Sequence, residues 1–147
     1  MRTVLFVTLA ACGVLAVGCS GSGPRAVASP AATASPAVEP IQVSLKEWAI
    51  SLSVTAARAG RTAFSVRNDG TVPHDLVLLR TDIEANRLPT SGGRVDERQV
   101  EVVGRTAQLT PGSGAEVSLD LGTGNYVFIC NVIGHYNSGQ FAAFTVQ

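Results

Sequence analysis

From residue 41 to the last residue, apolar side chains recur at every second position in short runs, and each run stops at a turn signal. A helix cannot use such a period, because positions two apart lie on nearly opposite sides of it, whereas a strand places them on one face. Ile41, Val43 and Leu45 alternate with Gln42, Ser44 and Lys46. The apolar parity then shifts to Trp48, Ile50, Leu52 and Val54, which predicts a β-bulge or a sheet-switching bend near Glu47. Phe64 and Val66 continue the alternation, Asn68-Asp69-Gly70 supplies a turn, and Leu76-Val77-Leu78-Leu79 reads as a strand buried on both faces. Residues 81–99 break the rhythm: 81–88 are expected to form one or two helical turns and 89–93 a loop. Strands are expected again at 100–103, 107–109, 115–121, 126–130 and 141–146. Seven or eight short strands, with no long amphipathic helix and no internal repeat, predict an all-β Greek-key sandwich or barrel.

The residues ahead of this region have a different character. Arg2 precedes an apolar run, 4–17, broken only by Thr8 and Gly13. As a helix the run would be about 21 Å long, short of a hydrocarbon core of about 30 Å, so residues 1–18 read as an export signal. The segment Leu15-Ala16-Val17-Gly18-Cys19 resembles the lipobox of bacterial lipoproteins. That resemblance implies cleavage before Cys19 and lipidation of its thiol, with Cys12 discarded in the signal. Residues 19–40 are then a linker of Gly, Ser, Ala, Pro, Thr and Val, with Arg25 and Glu39 as its only charges and prolines at 24, 30, 36 and 40. Such a composition cannot bury a core and stays extended. The remaining 41–147 is long enough for one real core. The expected product is an exported domain, lipid-anchored to the outer face of the cell membrane or facing the periplasm.

Composition narrows the function. The 147 residues carry 11 basic and 11 acidic side chains, so there is no electrostatic footprint for nucleic acid. Three cysteines and two histidines exclude a multi-bridge disulfide scaffold, a four-ligand zinc finger and any site built on several histidines. Within 41–147 only Cys130, His74 and His135 remain as soft or imidazole ligands. Cys130 and His135 lie five apart at the end of a strand, and His74 sits 56 residues ahead of Cys130, between a turn and a strand. Neighbouring strands in a sandwich close such a gap easily. A lone cysteine at a strand end is commonly a small buried hydrophobe, but in an exported chain a free thiol invites oxidation. A metal-bound thiolate accounts for it. Two histidines and a cysteine suit a blue-copper electron-transfer site completed by a weak axial donor, and Gln140, five past His135, stands where that donor is expected.

Two segments together carry a family resemblance. Residues 126–141, with Tyr126, Phe128 and Cys130, then His135 and Gln140, resemble the ligand loop of the cupredoxins. Asn68, Gly70 and His74 match that family's N-x-G-x-x-x-H segment, and residues 43–50 are similar to its first strand. The resemblance implies a cupredoxin-like sandwich holding one copper ion through His74, Cys130, His135 and Gln140. Glutamine stands where most members carry methionine, and the C-x4-H-x4-Q spacing is similar to that of stellacyanins, although 41–147, with one cysteine, cannot form the disulfide of those proteins. The resemblance further implies that the backbone N–H near Asp75 bonds the thiolate, that Asn68 ties the two ligand loops together, and that His135 is the histidine nearer the surface. Val72, Pro73, Val132, Ile133 and Tyr136 would then form an apolar patch for brief docking of redox partners by a monomeric protein.

Three other readings compete with a membrane-tethered electron carrier. A copper-delivery protein tends towards an open, methionine-rich site, and the only methionine is Met1. A self-contained copper enzyme needs more histidines than the two already committed, so the chain reads as a non-enzyme. Zinc also accepts Cys-His-His donors, and softness alone does not separate the metals.

Overall fold

The computed structural model describes residues 39–147; the signal at 1–18, Cys19 and the linker up to residue 38 lie outside the described residues. Among the described residues, eleven strands run in the order β1 Ile41–Lys46, β2 Ala49–Leu52, β3 Ala56–Ala57, β4 Gly60–Asn68, β5 Val77–Arg80, β6 Thr90–Ser91, β7 Arg94–Val95, β8 Glu101–Arg105, β9 Gly114–Leu121, β10 Gly124–Ile129 and β11 Phe141–Val146. One sheet has the order β2-β1-β4-β9, the facing sheet β3-β11-β10-β5-β8, and β6 with β7 forms a separate small hairpin. Pairing is antiparallel except for β1 with β4 and β3 with β11. The chain passes repeatedly from one sheet to the other, as a Greek-key sandwich requires.

The alternation decides which side chains meet between the sheets. Ile41, Val43 and Leu45 of β1 and Phe64 and Val66 of β4 face Leu76 and Leu78, Tyr126 and Phe128 of β10, and Phe144 and Val146 of β11. Phe64, Phe128 and Phe144 pack edge-to-face, with ring centroids 5.3, 5.9 and 5.6 Å apart. Burying one such ring contributes about 1.5–3 kcal/mol by area, with more from the edge-to-face geometry. As the apolar run at 76–79 predicts, β5 is buried on both sides. Its outer face, Val77 and Leu79, packs with Val127 and Ile129 under Leu88, Val95 and Tyr136.

Three local expectations are corrected. The parity shift near Glu47 is neither a bulge nor a change of sheet: β1 and β2 form a hairpin in which Leu45 pairs with Ile50 and Lys46 with Ala49. Glu47 and Trp48 are the turn, and reversal of the chain alone moves the inward positions from odd to even. Residues 81–88 contain no helix. They belong to a segment drawn across the apolar outer face of β5 and β10, pinned where the Leu88 N–H donates to Tyr136 Oη and Tyr136 Oη donates to the Ala85 carbonyl; Pro89 also disfavours helix at the residue before it. Residues 107–109 are not a strand, and only Leu109 makes a bridge, to His74.

Candidate metal centre

The site lies at one end of the sandwich, where β10 runs out into the 130–140 loop and the β4–β5 connection passes beside it. His74 is fixed by its own backbone: its N–H donates to the Leu109 carbonyl at 3.1 Å and its carbonyl accepts from Leu109 N–H at 2.7 Å. Cys130 directly follows β10, and its N–H donates to the Gln140 carbonyl at 3.1 Å, closing the loop at its base. Within the loop a 3-10 turn, Tyr136–Ser138, ends at Gly139 with φ +105°, a left-handed conformation that costs glycine nothing. Gln140 N–H then donates to the His135 carbonyl at 3.2 Å. These bonds set Cys130, His135 and Gln140 along one short, closed loop.

The three residues read as ligands converge. Cys130 Sγ lies 3.7 Å from His74 Nδ1 and 3.4 Å from His135 Nδ1, and the two Nδ1 atoms are 3.2 Å apart. A point equidistant from all three sits about 2 Å from each, close to an ordinary metal–imidazole bond of about 2.0–2.1 Å and a little short of a metal–thiolate bond of about 2.3 Å. An ion displaced slightly from the sulfur fits. All three residues are buried. Gln140 is fully buried beside them, its Nε2 3.0 Å from His74 Nδ1 and donating to the Lys46 carbonyl at 2.8 Å, while its Oε1 is buried with no hydrogen-bond partner. An orphaned buried carbonyl is costly, and the amide atom that faces His74 is the nitrogen.

No family model matches the chain, and neither does any curated protein sequence. Solved structures do match. Auracyanin from Roseiflexus castenholzii is 18% identical at a TM-score of 0.55, with 72% of this chain and 94% of that one covered. Auracyanin A, a "blue" copper protein from Chloroflexus aurantiacus, is 20% identical at 0.53, covering 74% of this chain and 98% of that one. Rusticyanin from Thiobacillus ferrooxidans is 13% identical at 0.54, covering 73% and 75%. The fold is that of a cupredoxin.

Around the donors of this cupredoxin fold, the polar contacts correct one expectation. The Asp75 N–H does point at Cys130 Sγ, at 3.4 Å. Asn68 does not join the two ligand loops: its Nδ2 donates to the carbonyls of Val72 and Leu109, both at 2.9 Å, and its Oδ1 accepts from Gly70 N–H. It ends β4 and so closes the turn on its own side of the site. Asp75 makes the link instead, because it follows His74 directly and its Oδ1 accepts from Asn131 N–H at 2.6 Å. Asn131, which nothing in the sequence singled out, fastens the 130–140 loop to β7: its Oδ1 accepts from Val95 N–H, and its Nδ2 donates to the Val95 carbonyl and to Glu97.

Glu47 and Trp48, the turn between β1 and β2, are the other residues sequence reasoning missed. The indole of Trp48 stands edge-on to His135, ring centroids 4.8 Å apart. Trp48 is 45% exposed and Ile133 64% exposed. Pro73 is also exposed, whereas Val72 and Val132 are half-buried. Tyr136, expected on that surface, is buried against Phe141 and the 85–88 segment. His135 retains slight exposure where His74 has none, the order the resemblance implied.

Burial pushes the Cys130 thiol up to about 12, against the opposing pull of the Asp75 and Val132 backbone N–H groups. Burial, and then the neighbouring His74, push His135 below its ordinary value. Without metal, therefore, Cys130 carries its proton at neutral pH and His135 carries no charge. Because the thiolate is the ligand, metal uptake must expel that proton. The expected result is about one proton released per ion at pH 7 and an apparent affinity that rises about tenfold per pH unit as pH increases. Titrating the metal-free protein in weak buffer with an indicator dye checks both; uptake without proton release would contradict them.

Proposed function

We propose that this protein is a one-electron carrier that cycles a single copper ion held by His74, Cys130 and His135, with the Gln140 amide as a weak axial donor. The observation that carries the reading is the convergence of two Nδ1 atoms and one Sγ within bonding reach of a single point. Copper would supply a Cu(II)/Cu(I) couple between a form that prefers harder tetragonal surroundings and one that prefers soft, low-coordinate ones. The residues of the chain supply the rest. Cys130 offers a thiolate whose sulfur accepts from Asp75 N–H, and the loop closure from Cys130 to Gln140 holds it in place. His74 is locked by its bridge to Leu109. A cage fixed in this way changes little between oxidation states. The burial of every donor favours passage of an electron over passage of an ion.

Reconstituting the protein with Cu(II) tests the reading: an intense visible thiolate-to-copper band, reversible voltammetry and rapid exchange with small redox reagents are expected. A colourless copper-loaded protein would overturn it. Axial donation by Gln140 has its own test. The amide oxygen is harder than a thioether and favours Cu(II), so Gln140→Met is expected to raise the reduction potential. An equal or lower potential in the variant would remove Gln140 from the site.

Partner proteins would dock where the chain leaves apolar surface beside His135: Trp48, Pro73 and Ile133, with the edges of Val72 and Val132. A small apolar patch with little charge suits brief encounters. Anchored by lipid on Cys19, with residues 20–40 as tether, a monomeric domain would meet those partners near the membrane. Incorporation of labelled fatty acid into the full chain, lost in Cys19→Ala, is the expected result.

A further inference from the structure

A histidine that binds metal through one ring nitrogen must settle the other, since a buried N–H without a partner costs free energy and leaves the tautomer open. In His74, Nδ1 faces the cage and Nε2 points away from it, fully buried and without a hydrogen bond of ordinary geometry. The nearest charged group to Nε2 is the Glu47 carboxylate, with Oε1 at 3.4 Å. This carboxylate is held in position: Oε1 accepts from Thr71 N–H at 2.7 Å and from Val72 N–H at 2.9 Å. Space for it is provided by Gly70, where a Cβ would stand 2.6 and 2.9 Å from the carboxylate oxygens and 2.9 Å from His74 Nε2. No lysine or arginine among the described residues pairs with Glu47, so its charge acts on the histidine. Its place in a hairpin turn ahead of β2 explains why the alternation alone did not mark it.

We propose that Glu47 is the anionic anchor of His74: it fixes the ring as the Nε2–H tautomer with Nδ1 free for the ion, and its charge favours Cu(II) over Cu(I). A carboxylate on the far nitrogen makes an imidazole a stronger donor, and a fixed negative charge close to the cage disfavours the incoming electron. The second half of the inference rests on the copper reading; the first half does not.

Two measurements on the full-length protein separate them. In the metal-free form, nitrogen NMR of the histidine rings is expected to show His74 as the Nε2–H tautomer, and a mixture of tautomers in Glu47→Gln. In the copper-loaded form, Glu47→Gln is expected to keep the visible band but shift the Cu(II)/Cu(I) balance roughly tenfold towards Cu(I), a rise of about 59 mV for one electron. Glu47→Asp, which keeps the charge, should fall between the two. Should Glu47→Gln fail to fold, Gly70→Ala displaces the carboxylate without removing it, and the potential should again rise. A variant potential equal to or below that of the native protein, or a Glu47→Asp shift as large as that of Glu47→Gln, overturns the electrostatic role. An Nδ1–H tautomer in the native protein overturns the anchoring role. Absence of any thiolate–copper band would sink the copper reading while the tautomer still judged Glu47.

Discussion

Replacing Cys130 with serine is expected to abolish the visible thiolate-to-copper band and to weaken copper binding beyond the roughly 10–100-fold that loss of an outer partner of a metal ligand costs. Cys130 is the only soft anionic donor in the cage, and a serine hydroxyl holds its proton far more tightly than a thiol. The fold should survive the change. The thiol is fully buried, but serine is nearly its size, and the Asp75 N–H that now points at Sγ would find a hydroxyl oxygen in its place. Circular dichroism of the metal-free variant should therefore match the native protein, and only the metal-linked signals should disappear. Retention of the band in this variant would mean that the thiolate is not a ligand.

A comparably large effect, on stability rather than on metal, is expected of Phe128→Ala. Phe128 lies two positions before Cys130 on β10, buried between the sheets with Phe64 at 5.3 Å and Phe144 at 5.6 Å. Truncating such a ring removes its transfer energy and leaves a cavity, a loss of about 3–5 kcal/mol. The total stability of a typical domain is only about 5–15 kcal/mol, so the melting temperature should fall by well over 10 °C. The comparison belongs to the metal-free form, because an ion bound only by the folded state would mask part of the loss. A loss below about 1 kcal/mol would show that the three rings are not the centre of the core.

Individual residues show how much of the site was legible and where legibility stopped. His74, Cys130 and His135 could be assembled from type and spacing, because the chain offers no other soft or imidazole donor beyond residue 40 and a sandwich brings distant strand ends together. The resemblance implies that Asn68 joins the two loops, whereas Asp75 makes that link. The two differ only in which way a side chain leaves a turn, and that depends on the path of the backbone through 69–73. Tyr136 was read as surface because it follows a ligand histidine in a loop, but its hydroxyl finds partners in the 85–88 segment, which alternation could not place. The parity shift predicts a bulge or a sheet-switching bend near Glu47, whereas Glu47 lies in the turn of a hairpin.

By itself, the sequence determined the quantities that are local or countable. Period-two alternation determines strands because a pleated backbone sends successive side chains to opposite faces. Scarcity of soft ligands determines a single site, because each donor can be used once. Only the tertiary structure decided what depends on two distant segments meeting: the hairpin that brings Glu47 to His74, the aromatic edge of Trp48 on His135, the Asn131 link to β7, and the burial that keeps Cys130 protonated until a metal displaces the proton. Those are properties of through-space distance and exclusion of water, and neither is written in the order of residues along the chain.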